Sequence, residues 1–343
     1  MAGIEDVARR AGVSPITVSR VVRNYPNVRT TTRERVQRAI TELNYIPNGL
    51  ARGLKQSRSG LIALLINDIY SPFYTPVARG AEDVARAAGM STILGNTDED
   101  AEVEAEYLRV MGEHRVDGVI LSPTNRAAAS IKKYLPRGLP FVLFDRLISG
   151  ISADVVRCDT MKGTYELCEH ILALGHRRIA IVGGLPHVPT WSERVAGYEA
   201  ALRDNGLQTA PELIVPGDFT RECGAAYVRR QIAEKNMPDA IIAANAQVAL
   251  GVLSMLAAQR LRVPDDVAIA AIDDPLPSVP FWPTLTVVQQ PTYDMGRKAM
   301  EMLIAQISHA GDGRAPSEIV FDAALRIGTS CGEMDGPNHA RAP

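Results

Sequence analysis

The stretch from Ser14 through Arg20, SPITVSR, holds residue types that can read the surface of a polyanion. Ile16 and Arg20 are four positions apart, so on a helix they share one face, with Ser19 beside them and Pro15 at the tip. An isoleucine there can pack on thymine methyl groups, and an arginine can give two hydrogen bonds to guanine O6 and N7. Ser14, Pro15, Ile16, Thr17, Ser19 and Arg20 are therefore candidate DNA contacts, with Arg23 and Arg29 as candidate phosphate contacts. Other chemistry is poorly served. Gly328, Ser330 and Gly332 in GTSCG fit the GxSxG pattern of serine hydrolases, but that pattern needs a strand, a sharp turn, a following helix, and an acid and a histidine later in the chain. Only EMDGPNHARAP follows. The histidines lack metal-ligand spacing. Cys158, Cys168, Cys223 and Cys331 are scattered without CxxC spacing and read as small hydrophobes in a reducing compartment. No Walker loop, GxGxxG or HExxH occurs. Neither an enzyme activity nor a cofactor is expected.

The elements that must position the Ser14–Arg20 stretch can be read around it. Ile4, Val7, Ala8 and Ala11 recur at helical spacing, and Gly12 offers the left-handed residue that stops the helix. Ser14 is an N-cap candidate and Pro15 suits the first helical position. The second helix then turns Val18, Val21 and Val22 inward. Thr31 and Glu34 suggest a capping box for a third helix that buries Val36, Ile40 and Leu43. Two short helices joined by a glycine-containing turn have the form of a helix-turn-helix; a three-helix module for protein contacts is the alternative. Charge favours the first. Residues 1–60 carry eleven Arg and Lys against four acids, a balance of +7, whereas the other 26 basic and 35 acidic residues give −9. A basic head on an acidic body points to nucleic acid and to steeply salt-dependent binding.

The next stretch, YIPNGLARGL at 45–54, carries a helix start signal in Asn48 after Pro47 but also Gly49 and Gly53, each costing about 1 kcal/mol of helix stability. Such a helix should not stand alone. From Leu61 onward, short apolar runs alternate with helical stretches: LIALLIN, STILGN, DGVILSP and FVLFD, then, after Asp159, IAIVG, AIIAAN and VAIAAID. That alternation suggests two doubly wound parallel-sheet units in tandem, an α/β fold. A length of 343 residues fits two or three domains, and 46% hydrophobic with 22% charged residues fits a soluble globular chain. No run of 18 uncharged apolar residues exists and MAGIEDVARR has no apolar signal core, so a cytoplasmic protein with no membrane partner is expected.

DVARRAGVSPITVSRVV followed by TRERVQRAITELNYIPNGLARGL resembles the head of the lactose-repressor (LacI/GalR) family of bacterial transcription factors, over about 50 contiguous residues with matched spacing. The body, with ALGHRRIAIVGG and ANAQVALG, is similar to the family's core of periplasmic-binding-protein type. The resemblance implies a helix-turn-helix domain at 1–46, a hinge helix and linker at 47–59, and an effector-binding core at 60–332. Within that core it implies one subdomain of about 60–158 and 290–318 and another of about 159–289 and 319–332. A tail at 333–343 is expected to be disordered. By the same resemblance, hinge helices of two subunits pair in the minor groove of a pseudo-palindromic operator and wedge a leucine, here Leu54, into the central base step, a cost of unstacking offset by contacts to kinked DNA. A hinge weak enough to need both partners is melted by whatever separates them. A homodimer is expected, since the tail lacks a leucine heptad.

Ligands of such folds lie at the carboxyl ends of strands. Asn67 and Asp68 follow the first run, Asp145 and Arg146 the fourth, Asn245 and Asp273 two later ones, while Arg194 is read in the first turn of SERVAGYEA and Phe219 in the PGDFT loop. Asp145, Arg194, Phe219, Asn245 and Asp273 match family positions that contact effector, and Phe73 and Tyr74 match the pocket of purine-responsive members; each can also be read as a helix cap or loop charge. Arg146 and Asp274 are expected to be structural. Ala246 departs from the Asp of many members, so no relative's effector can be carried over, and a sugar, a sugar acid or a related metabolite remains open. The expected function is that of a repressor whose operator affinity an effector controls; a sugar-binding transport component is the alternative, against which the basic head speaks.

Overall fold

The computed structural model describes residues 2–22, 24–45, 59–275, 283–309 and 315–332. It separates into two compact units, Met1–Ser59 and Gly60–Pro343.

In the first unit, α1 (Ile4–Ala11), α2 (Pro15–Val22) and α3 (Thr30–Glu42) surround a small core of Val7, Ala8, Ala11, Val18, Val21, Val36 and Ala39. Gly12 takes φ 63° and closes α1. The exposed carbonyls at that end are held by Arg35, which donates through Nε (3.1 Å) and Nη2 (2.6 Å) to Ala11 O and through Nη2 (3.0 Å) to Gly12 O. This ties α3 to the turn of the motif, with a cation where the helix dipole favours one. The Ser14 hydroxyl accepts from the Thr17 N–H at 3.3 Å, as an N-cap should. The third helix corrects the sequence reading. It begins at Thr30 with Arg29 as N-cap and no side-chain cap, so Thr31 lies inside the helix and cannot form a capping box with Glu34. Ala39 fills the position expected of Ile40, while Ile40 and Leu43 pack half-buried at the rim of the core.

The second unit contains two six-stranded sheets. The first has the order β2 (Ser91–Asn96), β1 (Leu61–Ile66), β3 (Gly118–Leu121), β4 (Phe141–Phe144), β5 (Asp154–Cys158), β11 (Glu318–Phe321), and every pair in it is parallel. The second repeats the pattern with β7 (Ile214–Val215), β6 (Ile179–Val182), β8 (Ala240–Ala243), β9 (Ala268–Ile272), β10 (Thr286–Gln289) and β12 (Ala324–Arg326), of which only β12 runs antiparallel to its neighbour. The central strands read as unbroken apolar runs because helices cover both faces. In the first sheet Ile62, Leu64 and Ile66 face one core and Ala63 and Leu65 the opposite one. The first of these cores is closed by α4 (Tyr74–Ala87) and α11 (Thr292–Ser308). The two helices cross at Gly80 and Gly296: a Cβ on either would lie 2.2 Å from a backbone oxygen of the other helix, Tyr293 O or Val77 O. The opposite face carries α5 (Ala101–Glu113) and α6 (Ala127–Tyr134). The second sheet is flanked by α7 (Thr160–Ala173) and α8 (Pro189–Asp204) on one side, and by α9 (Arg221–Glu234) and α10 (Ala246–Ala258) on the other.

The chain passes between the sheets three times, after β5, after β10 and after β11. The last passage falls after Phe321, not at 318, because β11 pairs with β5 along its whole length from Glu318 to Phe321. Strands β5, β7, β10, β11 and β12 are also additional to the runs read from the sequence. The tail at 333–343 and the Phe281–Trp282 pair lie outside the described residues.

Candidate functional site

In the head, α2 presents Ile16 with 63% of its surface exposed, and Pro15, Ser14 and Arg20 are exposed on the same element. Thr17 and Ser19 are half-buried, and the Thr17 hydroxyl lies 3.0 Å from that of Ser14. Several basic residues are committed within the unit: Arg33 donates to Asn24 Oδ1 (2.7 Å) and Tyr25 O (2.6 Å), and Arg10 pairs with Glu42 at 2.6 Å. Arg20, Arg29 and Arg38 stay exposed. One face of α2 thus offers an apolar contact and an arginine. Arg23, Asn48 and Leu54 lie outside the described residues.

In the body, the carboxyl ends of both sheets converge on one cavity of about 1210 Å³, roomier than the several hundred Å³ of a typical small-molecule pocket. The seven residues singled out from the sequence, Phe73, Tyr74, Asp145, Arg194, Phe219, Asn245 and Asp273, all line it. Their placement is set by the strand ends. Asp145 follows β4 and Asp273 follows β9, strands at matching places in the two sheets. Each takes a left-handed backbone, φ 68° and φ 64°, and each gives its N–H to the neighbouring strand, to Val156 O and Val288 O, both at 2.8 Å. The two halves therefore present one buried carboxylate apiece.

Burial raises the pKa of both acids. For Asp145 it outweighs the nearby Arg146 and Arg194 guanidinium groups. For Asp273 it pushes the value up to about 6, against the opposing influence of Arg194 and of Gln290 Nε2, which donates to Asp273 Oδ2 at 3.0 Å. Arg194, only 5% exposed, is itself disfavoured by burial as a cation, which Asp273 and Asp145 oppose. It donates from Nη1 to Ala244 O at 2.6 Å. It lies in the second turn of α8, one turn later than read from sequence, because that helix starts at Pro189.

The aromatic wall is built on the first sheet. Phe73 meets Tyr74 edge to face at 4.9 Å and Phe144 at 6.0 Å. The Tyr74 hydroxyl donates to Asn67 Oδ1 (2.7 Å) and lies 2.9 Å from Ser122 Oγ, and burial raises its pKa. Phe219 sits 5.9 Å from the Arg146 guanidinium and is held through its carbonyl by Asn245 Nδ2 (3.1 Å). Asn245 also caps α10, its Oδ1 accepting from Val248 N–H at 2.8 Å. Both ends of that amide thus already have protein partners, and Asn245 organises the wall as much as it lines it.

Of the lining residues that escaped the sequence reading, four stand out for their hydrogen bonds. Glu99 accepts from Arg146 Nη1 (2.7 Å) and Nη2 (2.5 Å) and from Asn67 Nδ2 (3.2 Å); it lies in the turn after β2. Gln290 follows β10, a strand hidden in the proline-rich segment before it. Gln247 and Arg221 form a hydrogen-bond chain across the cleft, Arg221 Nε to Gln247 Oε1 (2.8 Å) and Gln247 Nε2 to Tyr70 O (2.5 Å); nothing in sequence spacing announces it. Among the described residues four buried side-chain atoms lack a hydrogen-bond partner: Arg146 Nε, Arg194 Nε, Gln290 Oε1 and His170 Nε2. The first three belong to residues of this cavity. By contrast the Ser330 hydroxyl of GTSCG is buried and spent on structure, donating to Ile269 O (2.6 Å) and accepting from Thr286 N–H (2.9 Å).

A small basic helix-turn-helix unit joined to a two-sheet body with a cavity at its strand ends defines a ligand-responsive DNA-binding regulator. Residues 3–48 match the model of bacterial regulatory proteins of the lacI family, and residues 168–331 match a periplasmic binding protein-like domain. The HTH-type transcriptional regulator RegA of Clostridium saccharobutylicum is 35% identical over 302 residues, 88% of this chain and 91% of its own. Among solved structures, the lac repressor dimer bound to operator and the anti-inducer ONPF superposes with a TM-score of 0.82 at 26% identity, covering 97% of this chain and 99% of that one. The complex of the transcriptional regulator CelR with cellobiose gives 0.70 at 29% identity, covering 96% and 100%. The chain belongs to the lacI family of transcriptional regulators.

Proposed function

We propose that this regulator is a homodimeric repressor that releases or grips a pseudo-palindromic operator according to whether a small polyhydroxylated effector fills the cavity of the body. The observation that carries this reading is the gathering in one cavity of two buried carboxylates, Asp145 and Asp273, a buried guanidinium, Arg194, and the rings of Phe73 and Phe219. Buried polar groups call for hydrogen-bond partners, so these groups suit a ligand that brings both acceptors and donors. Hydroxyl groups supply both, and Phe73 and Phe219 offer apolar faces to a sugar ring. The known complex of CelR with cellobiose is in keeping with such a ligand.

Coupling to the head has a physical route. Gln290 stands where the chain leaves the second sheet and holds Asp273 with its own side chain. A ligand that engages Asp273 and the free Gln290 oxygen therefore acts on a strand connection and can bias the angle between the two halves, with the coupling of about 1–3 kcal/mol usual for allosteric proteins. In the head, Ile16 and Arg20 read base edges, Arg23 and Arg29 neutralise phosphates, and Asn48 and Leu54 contact the operator.

Fluorescence anisotropy on a two-fold symmetric duplex selected from random DNA tests the reading. Arg20→Ala should cost ~1–3 kcal/mol at one position of each half-site while sparing random DNA. Leu54→Ala should abolish the preference for the selected duplex while nonspecific binding persists. Equal losses on selected and random DNA for both variants would refute it, as would a selected duplex whose affinity no sugar or related metabolite alters.

A further inference from the structure

The four arginines that line the cavity could suggest an acidic ligand, but the carboxylates around them argue otherwise. Arg146 is held by both terminal nitrogens on Glu99, at 2.7 and 2.5 Å, and its Nε lies 3.4 Å from Asp145 Oδ2. Arg194 is buried beside two carboxylates, Asp145 and Asp273, which both favour its charge. Each interior guanidinium is thus matched or outnumbered by carboxylates before any ligand arrives. Arg126 and Arg221 remain, and both are engaged at the periphery, Arg126 near Glu102 and Arg221 with Gln247.

The placement of Glu99 is costly in itself. Asp98 and Glu99 are consecutive non-glycine residues with φ 51° and 58°, a backbone region that side chains disfavour and that persists only where the surroundings enforce it. Hydrogen bonds enforce it here: Asp98 Oδ1 accepts from Asn96 Nδ2 at 2.6 Å, and Glu99 accepts from Asn67 as well as Arg146. The turn after β2 is bent so that a carboxylate covers both terminal nitrogens of the Arg146 guanidinium.

We propose that Glu99 is a specificity-determining residue: by occupying Arg146, and with Asp145 and Asp273 shadowing Arg194, it restricts the cavity to uncharged polyhydroxylated effectors and excludes their carboxylated and phosphorylated counterparts. This rests on the reading of the cavity as the effector site. An incoming carboxylate would meet the negative field of Glu99, Asp145 and Asp273, and to engage the Arg146 fork it would have to break the Glu99 pair and leave one of the two acids buried without a counter-ion. A hydroxyl group meets no such obstacle: being neutral, it can donate to Asp145 or Asp273 without breaking the Glu99 pair or leaving a charge unmatched.

The test is calorimetric titration of the full-length protein with matched pairs that keep the sugar ring and add one charged group: ribose against ribose 5-phosphate, glucose against glucuronate and glucose 6-phosphate, galactose against galacturonate. The expected result is that the neutral member of at least one pair binds and its acid and phosphate bind at least tenfold more weakly. Glu99→Gln, which keeps the shape and frees the Arg146 fork, should shrink that ratio at least tenfold. An acid or phosphate that binds the wild-type protein as well as its neutral partner overturns the proposal, and so does a folded Glu99→Gln protein whose ratio is unchanged. Selectivity of the wild-type protein alone decides the case if the variant does not fold. If no member of any pair binds, the assignment of the cavity to sugars falls, and the selectivity argument with it; binding of both members alike overturns only the latter.

Discussion

Replacing Asp273 by Asn should make the protein more stable at neutral pH, and by an amount the structure allows one to work out. The Asp273 pKa is pushed from 3.8 up to about 6 by burial. A raised acid is better protonated in the folded than in the unfolded chain, so its contribution to stability is complete below pH 4 and is lost as the pH climbs through 6. At roughly 1.4 kcal/mol per pH unit the wild-type protein gives up about 3 kcal/mol across that window; water entering the cavity lowers this to about 1–3 kcal/mol. Asn cannot ionise, keeps the oxygen that accepts from Gln290, and occupies nearly the same volume. Melting temperatures of both proteins, measured from pH 4 to 8, should therefore coincide in slope above pH 7 and diverge between pH 4 and 6. By neutral pH the variant should melt higher by about 2–5 °C. Carboxylates remote from Asp273 titrate alike in both proteins and drop out of the difference, and Asp145, whose charge repels that of Asp273, ionises more readily in the variant. Parallel profiles through the whole range would show that Asp273 is not strained by its burial and would refute the reasoning. The same variant should bind effector more weakly, since it loses a charged acceptor; stability and affinity would then move in opposite directions.

Two more outcomes are expected from the packing. Gln247→Ala breaks the hydrogen-bond chain from Arg221 to Tyr70 across the cleft, so effector should dissociate about 2- to 10-fold faster, as read by stopped-flow fluorescence; an unchanged rate would deny that chain any part in closure. Gly296→Ala forces a methyl group to 2.2 Å from Val77 O, and the separation of α4 and α11 should cost about 1–3 kcal/mol, visible as a lower denaturation midpoint with operator preference retained.

The sequence spoke most clearly where a local pattern and a cap agree. In the head, apolar spacing, Gly12, Ser14 and Pro15 each act within a few residues, so α1 and α2 could be drawn without tertiary information. The Thr31–Glu34 pair carried the letters of a capping box, but α3 starts earlier and leaves Thr31 inside the helix. In the body, the central strands were plain because they are buried on both faces, whereas β11 and β12 alternate exposed and half-buried residues, and β7 has only two residues. Their pairing is dictated by distant partners. The same holds for the cavity: Asp145 and Asp273 stand directly after long apolar runs and could be picked out there, whereas Gln290 follows a strand that the sequence did not advertise. Glu99 ends up on Arg146 through a left-handed turn that no spacing rule foretells.

The return of α11 and β11 to the first sheet has a bearing on how the protein is made. A ribosome delivers the chain from its N-terminus, so the three helices of the head can condense while the body is still being synthesised. The face of the first sheet bearing Ile62, Ile120, Val142 and Phe144 has to wait for Thr292–Ser308, and strands β6 to β10 all emerge in between. For most of translation the nascent first half carries a bare oily surface and an unzipped strand edge beside a finished neighbour, the state in which a growing chain most needs a chaperone.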